Sequence, residues 1–169
     1  YTETCEKYQD IFRYIMIDEY QDTNLVQDSI VQQLSYKHKN ICIVGDDSQS
    51  IYSFRGANIN NILRFKSVFK ETTEFKLEQN YRSTKNILET ASNLISNNSN
   101  RVKKKLWSSA SQGELVKLNC YRNGKEEAQG ISDIIEKKIK KKYSLNEVSI
   151  LVRAIYQTRE FEERFLQLG

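Results

Sequence analysis

Two short apolar runs, each closed by acidic residues, constrain this chain more than any other feature. Residues 14–17 (YIMI) and 41–44 (ICIV) are continuous rather than alternating. Such a run suits a strand covered on both faces, as in a parallel sheet. Between them, Val26, Ile30 and Leu34 fall on one helical face. Asn24 precedes that face, with Gln27 three residues on, the spacing of a capping box. Ile59, Ile62, Leu63 and Phe69 predict another helix, and Phe75 and Leu77 a third strand. Strands alternating with helices in this way define an α/β fold with a parallel sheet.

The second half repeats the logic. Ser83 or Thr84 stands as N-cap to a stripe of Ile87, Leu88, Ala91, Leu94 and Ile95. A polar, basic loop follows over residues 97–111, with Trp107 inside it. Residues 115–120 and 148–152 read as strands. Ala128, Ile131, Ile134, Ile135 and Ile139 mark a helix between them, and Phe161, Phe165 and Leu166 a last helix ending at Gly169. The expected domains are residues 1–78 and 79–169. Charge divides nearly the same way. Residues 1–77 hold 9 Lys and Arg against 11 Asp and Glu, and residues 78–169 hold 17 against 11. The later half is the better resting place for a polyanion. Solvated helix faces explain the same excess, most simply for residues 137–142, whereas the basic residues 101–105 lie in a loop that can meet such a polyanion.

Several function classes are excluded or disfavoured. No apolar run approaches the roughly 18 residues of a membrane helix. The opening YTETCEKYQD is polar and gives no secretory signal. Cys5, Cys42 and Cys120 are scattered and odd in number, which fits reduced thiols in a cytoplasmic protein, with Cys42 in the core. With His38 as the single histidine, a His-rich metal site or a His-based triad is not expected.

Three stretches carry chemistry. The first is IMIDEYQDTN, residues 15–24, where an apolar strand ends on Asp18 and Glu19. In open α/β sheets ligands bind at the carboxyl ends of strands. There one carboxylate can hold Mg²⁺ through its waters and the next can orient or deprotonate an attacking water. Acidic residues after a strand are also common, and Asp22 serves equally as a helix cap. The second stretch is VGDDSQSIYSFRGA, residues 44–57. Gln49 follows the strand end, and Tyr52 and Phe54 stand beside Arg55, a set suited to base stacking with phosphate contact. Two buried core rings would give the same pattern. The third is LEQNYRST, residues 77–84, where Tyr81 and Arg82 join a ring to a guanidinium at the domain boundary.

In this order and spacing, DEYQDTN, VGDDSQSIYSFRGA and LEQNYRST resemble motifs II, III and IV of the UvrD/Rep/PcrA family of superfamily 1 DNA helicases. The resemblance continues through RSTKNILETASNLI and KKLW to ILVRAIYQTREFEERFLQLG and covers essentially the whole chain. It implies parts of two RecA-like domains. It implies that Asp18 binds the Mg²⁺ of MgATP, that Glu19 activates water, and that Gln49 senses the γ-phosphate. Tyr52 and Phe54 would stack on single-stranded DNA with Arg55 in support. Tyr81 would stack on adenine, and Arg82 would reach the γ-phosphate as an arginine finger.

The implied parent is an ATP-dependent 3′-to-5′ helicase and translocase on single-stranded DNA and DNA junctions, in repair or replication restart. Two positions depart from the family pattern: Phe54 replaces a usual Trp and Asn58 a usual Asp. A P-loop requires G-x-x-x-x-G-K followed by Ser or Thr. The single Gly-Lys pair here, Gly124-Lys125, is followed by Glu126, and Asn119 stands where the first Gly belongs. The chain therefore reads as a fragment running from motif II to motif IV and beyond, inactive in isolation. The alternatives are a non-catalytic single-stranded DNA-binding module, a protein-interaction domain, or part of a helicase-nuclease subunit.

Overall fold

The computed structural model describes residues 1–99, 101–139 and 143–169. Packing divides the chain into two compact units, Tyr1–Val116 and Lys117–Gly169. That division falls later than the expected boundary at residue 78. The loop after helix α5 (Lys85–Ile95) explains the difference, because it clips back onto the first unit. The Lys105 N–H donates to Glu78 Oε1 at 2.8 Å, and the Val102 N–H to Asp47 Oδ2 at 2.9 Å.

The first unit opens with α1 (Thr2–Ile11), β1 (Ile15–Ile17), α2 (Leu25–Ser35) and β2 (Ile41–Ile43). The two strands are parallel, with Ile15 opposite Ile41 and Ile17 opposite Ile43. Helix α2 starts as its sequence dictates. Asn24 accepts from the Gln27 N–H, and the Gln27 side chain accepts from the Asn24 N–H, both at 2.9 Å. The expected helix over residues 59–69 is split at Arg64 into α3 (Asn60–Leu63) and α4 (Phe65–Val68). Helix α5 begins at Thr84 as expected, although the Thr84 hydroxyl makes no capping bond.

The small core of this unit centres on Tyr20, which is completely buried. Its ring meets Phe65 edge-on at 5.8 Å, an arrangement that adds about 0.5–1.5 kcal/mol to simple burial. Its hydroxyl donates to the buried Asp28 at 2.5 Å, and Asp28 also accepts from Gln32 at 2.7 Å and Arg64 at 3.1 Å. A buried carboxylate is tolerable because its oxygens are paired in this way. Burial, followed by that hydrogen bond to a carboxylate, pushes the Tyr20 phenol well above its ordinary value.

Three expected strands are absent among the described residues. Residues 75–77, 115–120 and 148–152 form no ladder, although Gln79 and Trp107 make a single parallel bridge. Most of their apolar side chains stand exposed, Leu118 by 91% and Leu151 by 94%. A strand needs a hydrogen-bonding neighbour, and none of these segments has one here. The same shortfall corrects the reading of β1 and β2 as covered on both faces. Met16 is exposed, and so is Cys42, which is a surface thiol rather than a core residue.

In the second unit, α6 (Gly124–Ile139) packs on α7 (Arg159–Leu168). Ala128 and Ser132 are buried on α6 and Phe161 on α7, and Arg164 Nε donates to Ser132 Oγ at 3.2 Å. Of the basic run 137–142, Lys137 and Lys138 lie in the last turn of α6, and residues 140–142 lie outside the described residues. No helix among the described residues is long and apolar enough to cross a membrane.

Candidate nucleotide and nucleic-acid site

Because β1 and β2 are parallel and in register, their carboxyl ends open at one edge. The Val44 N–H donates to Ile17 O at 2.8 Å, and the Tyr20 N–H returns to Val44 O at 3.0 Å. Asp18 and Glu19 emerge there, both exposed. Glu19 takes a left-handed backbone conformation (φ 51°, ψ 42°), which costs a non-glycine residue on the order of 1 kcal/mol. Local bonds offset that cost. The Glu19 N–H donates to Asp18 Oδ1 at 2.9 Å, and Glu19 Oε2 accepts from Gln21 Nε2 at 2.8 Å.

Gln21 is the residue that sequence reasoning missed. It is 1% exposed and works in both directions. Its amide nitrogen holds Glu19, and its Oε1 accepts from the Asp46 N–H at 3.0 Å. The first strand end is thereby fastened to the second. Gly45 makes the approach possible. A Cβ there would lie 2.6 Å from Gln21 Oε1 and 2.8 Å from Ile62 Cδ1. The signal was an amide between two acidic residues, and only the fold shows that it turns inward.

Asp46 is the second hub. Its carboxylate accepts from the Ser48 N–H at 2.8 Å, from Gln49 Nε2 at 3.0 Å, and from Lys104 Nζ in a close ion pair. Lys104 also reaches Asp47 at 3.2 Å, where the carboxylate is 4% exposed. Of the basic loop 101–105, Lys104 is thus committed to protein carboxylates. Burial raises the Asp46 carboxyl, but the bonds from Lys104, Gln49 and Ser48 outweigh it and hold it below its ordinary value. A carboxyl lowered in the folded state adds stability above its unfolded value, near pH 3.9, and loses it as pH falls through the folded one. Urea unfolding of this chain between pH 7 and pH 2 is therefore expected to show an acid-dependent loss that Asp46→Asn reduces. Raised salt screens the exposed pairs Asp10–Lys37 and Glu74–Lys66 and isolates the effect. An unchanged profile in Asp46→Asn counts against it.

Beyond Gln49 the chain makes a tight turn, with Gly56 at φ 90° closing it. Phe54 is 70% exposed and Tyr52 37%, so the reading of two core rings is set aside. The rings lie 6.0 Å apart, and the Arg55 guanidinium sits 5.1 Å from the Tyr52 ring and 5.5 Å from that of Phe54. This is an open aromatic and cationic surface. Asn58 accepts from the Asn60 N–H at 3.1 Å, a local capping role that an uncharged residue fills. The buried Asn61 amide donates to Thr23 O at 3.0 Å and Asn24 O at 3.2 Å, so the turn is anchored to the end of the first motif.

Tyr81 and Arg82 project from a turn set by Asn80. Asn80 Oδ1 accepts the N–H groups of Arg82 at 3.1 Å and Ser83 at 2.8 Å. Tyr81 is 83% exposed, with its hydroxyl on Gln79 at 2.8 Å. Among the described residues, the Arg82 guanidinium pairs with no carboxylate. The structure brings Asp18, Glu19 and Gln49 into one bonded cluster, leaves Tyr52, Phe54 and Arg55 as a second, and holds Tyr81 and Arg82 on a third element.

The donors at the strand end fit a hydrated Mg²⁺. Two adjacent carboxylates are exposed, and each has one oxygen outside its internal hydrogen bond. Mg²⁺ usually takes one or two carboxylates and keeps several waters. Among the described residues no group of three or more His, Cys, Asp or Glu side chains forms a dedicated cage.

These features define an α/β protein with exposed carboxylates at a strand end and an exposed aromatic turn in the same unit. The UvrD/REP helicase N-terminal domain matches residues 1–70, and the UvrD-like helicase C-terminal domain matches residues 75–169. Among similar proteins, a probable DNA helicase II homolog of Rickettsia conorii is 51% identical over 98% of this chain and 25% of its own length. The ATP-dependent DNA helicases PcrA of Staphylococcus epidermidis and Bacillus subtilis are each 44% identical over 98% and 99% of this chain. The alignment takes in 23% of either PcrA. The chain belongs to the UvrD-like helicase family. It spans about a quarter of the length of the curated relatives it matches.

Proposed function

We propose that this chain is the part of an ATP-dependent 3′-to-5′ DNA helicase in which water activation, γ-phosphate sensing and DNA stacking meet. The observation that carries the reading is the bonded path from Glu19 through Gln21 and Asp46 to Gln49. Three residues further on, the exposed Tyr52 begins the stacking surface. Gln49 and the stacking surface thus share one segment, which hydrogen bonds tie to the strand end at Glu19.

Residues 1–78 belong to a first RecA-like domain and residues 79–169 to a second. Asp18, with Glu19 beside it, holds Mg²⁺, which neutralises charge on the nucleotide phosphates. Glu19 orients and deprotonates the attacking water. Its carboxylate has one oxygen fixed by Gln21 and one to accept a proton. Gln49 bonds the γ-phosphate, Tyr81 stacks on adenine, and Arg82 stabilises the charge that develops as the phosphoryl group transfers. Tyr52 and Phe54 stack on bases of single-stranded DNA while Arg55 meets the backbone. The protein acts at DNA junctions, in the cytoplasm, in repair or replication restart.

The test is strand separation of a 3′-tailed duplex by the intact protein with MgATP, beside turnover by these 169 residues alone. The intact protein is expected to unwind the 3′-tailed duplex and not its 5′-tailed counterpart. The chain alone, lacking a P-loop sequence, is expected to hydrolyse ATP at background. DNA-stimulated turnover by the chain alone, or unwinding from a 5′ tail, would overturn the assignment.

A further inference from the structure

The carboxylate that holds Gln49 is the same one that holds Lys104. Asp46 Oδ2 accepts from Gln49 at 3.0 Å, and Asp46 Oδ1 is paired with the Lys104 ammonium. Lys104 is 18% exposed, well covered for a lysine, and its second bond to the buried Asp47 fixes its position. The segment that carries Lys104 is itself tied to the turn bearing Tyr81 and Arg82. Trp107 O accepts from the Asn80 N–H at 2.7 Å, and the Trp107 N–H donates to Glu78 O at 2.9 Å. Hydrogen bonds joined by short stretches of chain therefore run from Glu19 through Gln21, Asp46 and Lys104 to Trp107, and on to the Asn80 backbone beside Arg82.

We propose that Lys104 is a positioning residue for Gln49, acting through Asp46 to couple the strand-end site to the segment that presents Arg82. The proposal rests on the helicase reading above. The physical reason is competition for one carboxylate. With Lys104 in place, much of the charge on Asp46 is satisfied and Gln49 is held loosely enough to turn toward a phosphate. Without Lys104, Asp46 keeps the Ser48 N–H and Gln49 as its donors, and the charge-assisted bond to Gln49 tightens. Gln49 is then withdrawn from the phosphate it should sense. Arginine restores a cation at this position, and methionine keeps the stem and removes the charge.

The experiment is steady-state ATP hydrolysis by the intact protein with single-stranded DNA, for Lys104→Met, Lys104→Arg and Gln49→Ala, and for Lys104→Met combined with Gln49→Ala. Lys104→Met is expected to lower kcat about tenfold, a size within the range of measured couplings between contacting polar groups. KM for ATP stays within about twofold, because the lysine touches no nucleotide. Lys104→Arg recovers most of the loss, and Gln49→Ala masks it. A loss through general loosening would instead persist in the Gln49→Ala background. An unchanged kcat in Lys104→Met, or losses that simply multiply in the double variant, would overturn the proposal. Should Lys104→Met fail to fold by circular dichroism, Lys104→Gln, which also removes the charge and leaves the Asp46 carboxylate in place, carries the same two criteria. Glu19→Gln in the same preparation separates the two readings. Turnover that survives Glu19→Gln sinks the motor assignment and this coupling with it. Turnover lost in Glu19→Gln but untouched in Lys104→Met sinks the coupling alone.

Discussion

Replacing Glu19 with glutamine in the intact protein is expected to lower DNA-stimulated ATP turnover by about 10²–10⁴-fold, the usual contribution of a general base. The size follows from what the substitution leaves in place. The glutamine side-chain oxygen still accepts from Gln21 Nε2, so the link to Asp46 and Gln49 stays intact. Glu19 is exposed, so stability should change by no more than about 0.5 kcal/mol. What disappears is the proton acceptor beside Asp18. The loss should fall on kcat rather than on KM. Binding of single-stranded DNA without nucleotide should be unaltered, because Tyr52, Phe54 and Arg55 lie on a separate turn. A kcat within about tenfold of the parent would remove Glu19 from the chemistry. A non-catalytic binding module predicts no effect of this carboxylate on anything measured.

The contrast between Glu19 and Gln21 shows what the sequence could disclose. Strand-end carboxylates are legible because an apolar run that stops on Asp-Glu has few explanations, and the capping box at Asn24 and Gln27 is legible because its signal is local. Gln21 is not legible. Its importance lies in a bond to the Asp46 N–H, 25 positions away, and in the absent Cβ of Gly45 that admits it. Lys104 is hidden for the same reason. Read along the chain it belongs to a basic loop, and only the fold places Asp46 and Asp47 against it. The strands expected at residues 75–77, 115–120 and 148–152, which do not form among the described residues, err the other way. Their composition suits a sheet, but pairing is a property of neighbours, and an apolar run cannot supply its own. The rings at 52 and 54 were ambiguous in sequence because periodicity does not say which way a turn faces. Exposure decided it.

Arg82→Ala is expected to have the larger effect still, lowering kcat of the intact protein by about 10³–10⁵-fold, the range for an arginine finger. Here the argument is from position. Asn80 sets the turn through the backbone N–H groups of Arg82 and Ser83, neither of which needs the guanidinium. The side chain is exposed and pairs with no carboxylate among the described residues, so its removal costs the fold little. Such a side chain is open to a phosphate brought to it, which is the role proposed above. Lysine at this position keeps a charge but not the planar fork that meets two phosphate oxygens, so Arg82→Lys should recover only a small part of the loss. Nucleotide affinity measured at equilibrium should change far less than kcat, because the stabilisation is needed only as the phosphoryl group transfers. Equal losses in affinity and rate would instead make Arg82 a ground-state phosphate clamp. A kcat within about tenfold of the parent would return it to the solvent-exposed surface from which it was singled out.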